Sequence, residues 1–83
     1  MNQVERLEKH SYQYLPKLRL TMNDVCEMLN VSRDKLSKME REDPTFPRSW
    51  KDGPSRQAAR FYDHREILEW HEKDKEEKRN LYS

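Results

Sequence analysis

A mainly α fold carrying one small β-hairpin is what this 83-residue sequence predicts. Three observations lead there. Two stretches of helical periodicity lie between Leu20 and Glu40, broken at Asn30-Val31. A turn signal around Gly53, the only glycine, separates two runs suited to strands. Asp63 then opens a third helical pattern that ends in almost unbroken charge. The length allows one small domain, and 33% hydrophobic residues against 40% charged ones keep its core modest.

The elements follow in order. Val4, Leu7, Ser11 and Tyr14 sit at loosely helical spacing in a polar segment without a firm cap, so residues 1–16 read as a flexible N-terminal arm. Lys17 to Leu20 alternates, with Leu18 and Leu20 on one side, as in a short strand or an extended lead-in. Thr21 then caps a first helix, and Thr21-x-x-Asp24 has the spacing of a capping box. Met22, Val25, Cys26 and Leu29 recur at i, i+3, i+4 and i+7, which makes one apolar face. Asn30 suits the left-handed backbone that a helix C-terminus often needs.

Ser32 caps a second helix. Leu36 and Met39, three apart, face the first helix. The opposite face carries Asp34, Ser37, Lys38 and Arg41, with Arg33 in the first turn. A short capped helix that is apolar behind and basic or polar in front suits a reader of the major groove. It suits an ordinary helical hairpin with a solvated charged face as well. Pro44 ends this helix. Glu42 and Asp43 near its C-terminus oppose the helix dipole, and the sequence offers no compensation for them.

From Phe46-Pro47 the chain becomes extended through Arg48, Ser49, Trp50 and Lys51. Asp52-Gly53-Pro54-Ser55 is the turn, and Ala58 to Tyr62 form the returning strand. Arg48, Lys51, Arg56 and Arg60 decorate this hairpin against one acid, Asp52. Asp63-x-x-Glu66 is a second capping-box-like pair and starts a third helix. Ile67, Trp70 and His71 share a face of it, and Ile67 and Trp70 are the expected anchors to the core. The domain is therefore expected at residues 17–73, with residues 74–83 a charged tail. The assembled expectation is a winged helix-turn-helix, three helices plus wing.

Charge distribution fits this division. Between Val31 and Arg60, eight lysines and arginines face five acids, a net +3; from Asp63 to Ser83 the balance is −2. A basic middle and an acidic end suggest one face for an anion and another kept away from it.

LTMNDVCEMLNVS, the basic helix after Ser32, the Phe46-Pro47 step, and Arg60-Phe61-Tyr62-Asp63 followed by ILEW occur in that order. Together they resemble the phage AlpA and excisionase-like branch of the small winged-helix, MerR-type DNA-binding domains, over about Leu18 to Lys73. The resemblance implies a second helix in the major groove, a wing on the backbone or minor groove, and a C-terminal helix whose Trp closes the core. Carried over by position, it implies that Ser32, Arg33, Asp34, Ser37, Lys38 and Arg41 face DNA, with Arg48, Lys51 and Arg56 alongside. The sequence departs from the pattern twice. Asn30 replaces the usual turn glycine, and Gly53-Pro54-Ser55-Arg56-Gln57-Ala58 lengthens the wing loop, which leaves its register open. YDHREILEW also resembles the winged-helix domain of phage small terminase subunits, which usually carry a longer assembly region after the Trp helix.

Other chemistry finds little support. Cys26 lies on the inward face of the first helix and reads as a packed thiol. His64 and His71 are two helical turns apart with no further ligands at zinc spacing. No Gly-rich phosphate loop or catalytic triad pattern occurs, so no catalysis, cofactor or metal is expected. No apolar run approaches a membrane span and no signal-peptide pattern opens the chain, so a cytoplasmic location in a bacterial or phage-infected cell is expected. The expected partner is double-stranded DNA, bound by sequence and shape, with an integrase and neighbouring copies of the chain as further partners on DNA. Excision of a mobile element and transcriptional regulation are the two roles implied, with a monomer in solution. The alternatives are DNA recognition in phage packaging, or a protein-interaction adaptor that binds no DNA.

Overall fold

The computed structural model describes residues 17–83. The arm read at residues 1–16 lies outside the described residues. The described chain runs β1 (Arg19–Leu20), α1 (Met22–Leu29), α2 (Arg33–Glu42), β2 (Trp50–Lys51), β3 (Arg60–Asp63) and α3 (His64–Tyr82). The strands form a small antiparallel sheet in the order β1-β3-β2. Arg19 pairs with Asp63 and Leu20 with Tyr62 on one side of β3. Trp50 pairs with Phe61 and Lys51 with Arg60 on the other.

Local chemistry sets the helix limits. Thr21 and Asp24 make the reciprocal capping box: Asp24 N–H donates to Thr21 Oγ1 at 3.1 Å, and Thr21 N–H donates to Asp24 Oδ2 at 3.0 Å. Asn30 closes α1 in the left-handed region, at φ 57° and ψ 50°. Its N–H reaches Glu27 O at 3.3 Å and the N–H of Val31 reaches Cys26 O at 3.0 Å, a Schellman closure that satisfies two orphan carbonyls. Ser32 caps α2 by accepting from Lys35 N–H at 3.1 Å. That helix stops at Glu42, one residue before the pair Asp43-Pro44. Asp63 serves twice, as the last residue of β3 and as the cap of α3, accepting from Glu66 N–H at 3.0 Å.

Every element except β2 sends one side chain into the centre. Leu20, Val25, Leu36, Tyr62 and Ile67 are buried there, with Phe46 from the α2–β2 connection. A fully buried apolar side chain of this size stabilises a fold by about 1.5–3 kcal/mol. Phe46 is the hub: its ring meets Trp70 edge-on at 4.9 Å and Tyr62 at 6.3 Å. Met22, Cys26, Leu29, Val31, Met39 and Trp70 pack around this centre as half-buried residues.

Several sequence expectations change in detail. Leu18 does not share the core with Leu20; it is 79% exposed, because β1 begins only at Arg19. His71 is exposed, since α3 turns only Ile67 and Trp70 toward the core. The returning strand is Arg60–Asp63, so Ala58 and Ala59 belong to the loop. The charged stretch after Lys73, which the sequence allows to continue as a solvated helix, is the C-terminal part of α3 and runs to Tyr82. No helix among the described residues is long and apolar enough to cross a membrane.

Candidate nucleic-acid interface

Burial of Leu36 and partial burial of Met39 fix which side of α2 faces out. Glu40, four residues after Leu36, falls on the inward side. Its carboxylate accepts from the Tyr62 hydroxyl and, at 3.4 Å, from Ser49 Oγ. Burial, and then the bond to Glu40, push the Tyr62 hydroxyl well above its ordinary pKa, so it stays neutral and donates. Arg60 Nε donates to Ser49 Oγ at 3.1 Å. This chain of bonds joins α2 to the base of the β2–β3 hairpin. It also takes Glu40 off the outward face, so that face is more cationic than a residue count suggests.

Lys38 and Arg41, three apart on the outward side, are exposed. Neither makes a side-chain hydrogen bond or ion pair among the described residues. Asp34 is exposed in the first turn, and Ser37 between them is half-buried. Arg33 is also exposed, but its Nη1 donates to Asn23 Oδ1 at 2.6 Å and so tethers the start of α2 to α1. Ser32 is occupied by its capping bond. Of the six, Asp34, Lys38 and Arg41 share the exposed side of α2, while Ser32 precedes the helix, Arg33 is turned to α1 and Ser37 is half-buried.

The hairpin residues divide differently. Lys51 is exposed on β2 and Arg56 is exposed in the loop. Asp52 N–H bonds to Ala59 O at 2.8 Å and closes that loop. The tight turn within it runs from Ser55 to Ala58, with Ala58 N–H on Ser55 O at 3.1 Å and Gln57 N–H on Ser55 Oγ at 3.1 Å. Arg56 thus sits on a turn after the Gly53-Pro54 pair, not on it. Arg48 lies away from the loop: its guanidinium donates to Glu40 O at 2.9 Å, near the C-terminus of α2, where a cation complements the dipole.

No protein-family model matches the chain, and neither a curated protein nor a solved structure does. Among the described residues, no group of three or more His, Cys, Asp or Glu is placed to hold a metal ion. Cys26 is half-buried against the core.

Sequence reasoning missed Glu40 and Arg19. The i+4 spacing of Glu40 from Leu36 was the available signal. Arg19 had none, because its surroundings come from distant chain: its guanidinium lies 5.5 Å from the centre of the Phe61 ring and 3.0 Å from Asp52 Oδ1.

Proposed function

We propose that this chain is a winged helix-turn-helix protein that binds duplex DNA by sequence. On this reading α2 enters the major groove and the β2–β3 loop meets the backbone or minor groove. The single observation that carries it is the outward side of α2, where Lys38 and Arg41 stand exposed, without a partner among the described residues, on a helix whose other side is locked into the core. Two or three of these side chains reading base edges supply specificity. Phosphate contacts from Lys51 and Arg56 supply affinity that falls with salt. The sequence resemblance to AlpA-like and excisionase-like proteins supports, for this activity, a role in a phage or mobile element, as a recombination directionality factor, a transcriptional regulator, or both.

Titration of labelled duplexes, phage attachment-site sequences and scrambled controls, across a salt series tests the proposal. The expected result is a site bound more tightly than its scramble, with affinity for both falling steeply as salt rises. Absence of binding to any duplex at low salt would leave a protein-interaction adaptor as the better reading.

A further inference from the structure

A groove of about 710 Å³ runs between α3 and the connection from α2 to β2. Its apolar lining is Phe46, Pro47 and the half-buried Trp70. Five carboxylates line it against two cations, Arg48 and Lys73. The α3 side is a regular stripe: positions 66, 69, 70, 73, 74 and 77 follow the i, i+3, i+4 spacing of one helix face. Two of the acids are already engaged. Asp43 Oδ1 accepts from Thr45 N–H and Oγ1 at 2.9 and 2.6 Å and its Oδ2 from Trp70 Nε1 at 3.3 Å, while Asp74 pairs with Lys78 at 3.2 Å. Glu66, Glu69 and Glu77 make no ion pair among the described residues.

We infer that this groove docks a cationic, arginine-containing segment of a partner protein, laid along α3. Charge complementarity sets the sign, since three uncommitted carboxylates border an apolar strip and leave a net negative wall. The length favours a polypeptide. Residues 66 to 77 rise about 16 Å along the helix, which about five extended residues span. Trp70, half-buried and lining the groove, gives an arginine an aromatic neighbour, and the flanking glutamates offer its planar donors acceptors. A metal ion or a polyamine would use the carboxylates alone and leave Trp70 and Pro47 unexplained. The surface is separate from the outward side of α2, so the chain can hold a basic partner while α2 is occupied. Of the residues proposed for DNA, Arg48 alone lines it.

The test uses the full chain and two short fluorescein-labelled peptides: arginines around a central leucine, and glutamates around the same leucine. The variant is Glu69→Gln with Glu77→Gln; both positions are exposed on α3, so the fold, checked by circular dichroism, is retained. The arginine peptide is expected to bind the wild type and to bind the variant roughly tenfold more weakly, as the loss of two exposed charge pairs allows. The glutamate peptide is expected not to bind. Failure of the arginine peptide to bind the wild type, or equal binding to both proteins, overturns the inference. So does a wild-type dimer in sedimentation that the variant dissociates, because a second copy then fills the groove. Duplex binding by the variant is measured in parallel. Its loss in both proteins would count against the DNA reading and leave the peptide result standing.

Discussion

Asn30 carries the only positive φ among the non-glycine residues described, and α1 and α2 meet there. An L-residue with a branched or plain Cβ is strained in the left-handed region by about 1–2 kcal/mol, while asparagine tolerates it and glycine is free of the strain. Asn30→Ala is therefore expected to lower stability by roughly 1 kcal/mol in chemical denaturation, and Asn30→Gly to leave it nearly unchanged. Equal losses from both substitutions would mean that the asparagine side chain, not the backbone, matters. Gly53 stands in contrast. It has no positive φ, and a Cβ there would meet Ala58 Cβ at an ordinary 3.9 Å, so the glycine is not needed for the turn. Asp43, which the sequence leaves opposed to the dipole of α2, has a positive task. Its carboxylate organises Thr45 and holds the Trp70 indole N–H, which fixes the path out of α2 and the seat of α3.

Among the elements, α2 and the hairpin loop divide the proposed work. Lys38 stands on a rigid helix, Arg56 on a loop whose contacts need not read sequence. Lys38→Ala is expected to narrow the gap between matched and scrambled duplexes, by about 1–3 kcal/mol if it reads a base edge. Arg56→Ala should weaken both duplexes by a similar factor and lower the salt slope by about one unit. If Arg56→Ala selectively abolishes matched-site binding, the loop is reading bases or groove width instead. For α3, the docking residues are Ile67 and Trp70. Trp70 is half-buried and packs edge-on against Phe46, so Trp70→Ala should cost about 2–3 kcal/mol, less than a fully enclosed tryptophan. A thermal melt of this variant that overlays the wild type would show that α3 docks through Ile67 alone.

At the scale of the molecule, a small core is held in place by carboxylates at its margins. Asp24 has its pKa lowered chiefly by the Thr21 backbone N–H, with further help from Lys17, and Asp43 chiefly by the Thr45 hydroxyl and N–H. A carboxylate whose pKa is depressed by folding adds stability above its unfolded value and loses it as pH falls through the folded one. The melting temperature is therefore expected to hold near neutrality and to fall as pH drops through and below the ordinary aspartate range. Asp43→Asn should show a shallower acid loss than the wild type. Parallel declines in the two proteins would assign the acid sensitivity elsewhere. The same margins separate charge by face, with cations outward on α2 and carboxylates along α3. On the two proposals made above, DNA and a basic partner would be engaged on separate sides.

What the sequence determined by itself was local. Thr21, Ser32 and Asp63 cap helices because a short side-chain oxygen can satisfy the first free N–H groups wherever the chain turns into a helix. Pro44 ends α2 because its ring and missing N–H act on their immediate neighbours. The stripes through Val25, Leu36 and Ile67 foretold which faces turn inward, since helical spacing alone lines them up. The exposure of Asp34, Lys38 and Arg41 was legible for the same reason, whereas the half-burial of Ser37 and the bond from Arg33 to Asn23 were not. Tertiary structure decided whatever depends on residues far apart in the chain. Phe46, which the sequence marks only as the start of an extended run beside a proline, became the hub because Trp70 of α3 and Tyr62 of β3 converge on it. Glu40, set inward by its spacing from Leu36, found its partner only because Tyr62, twenty-two positions later, offered it a hydroxyl. Arg48 was drawn to the end of α2 by a carbonyl, away from the loop that its neighbours enter. The acidic groove exists only because the α2–β2 connection lies against α3. Capping and periodicity act within a few residues and are written in the chain, whereas pairing across it is set by packing.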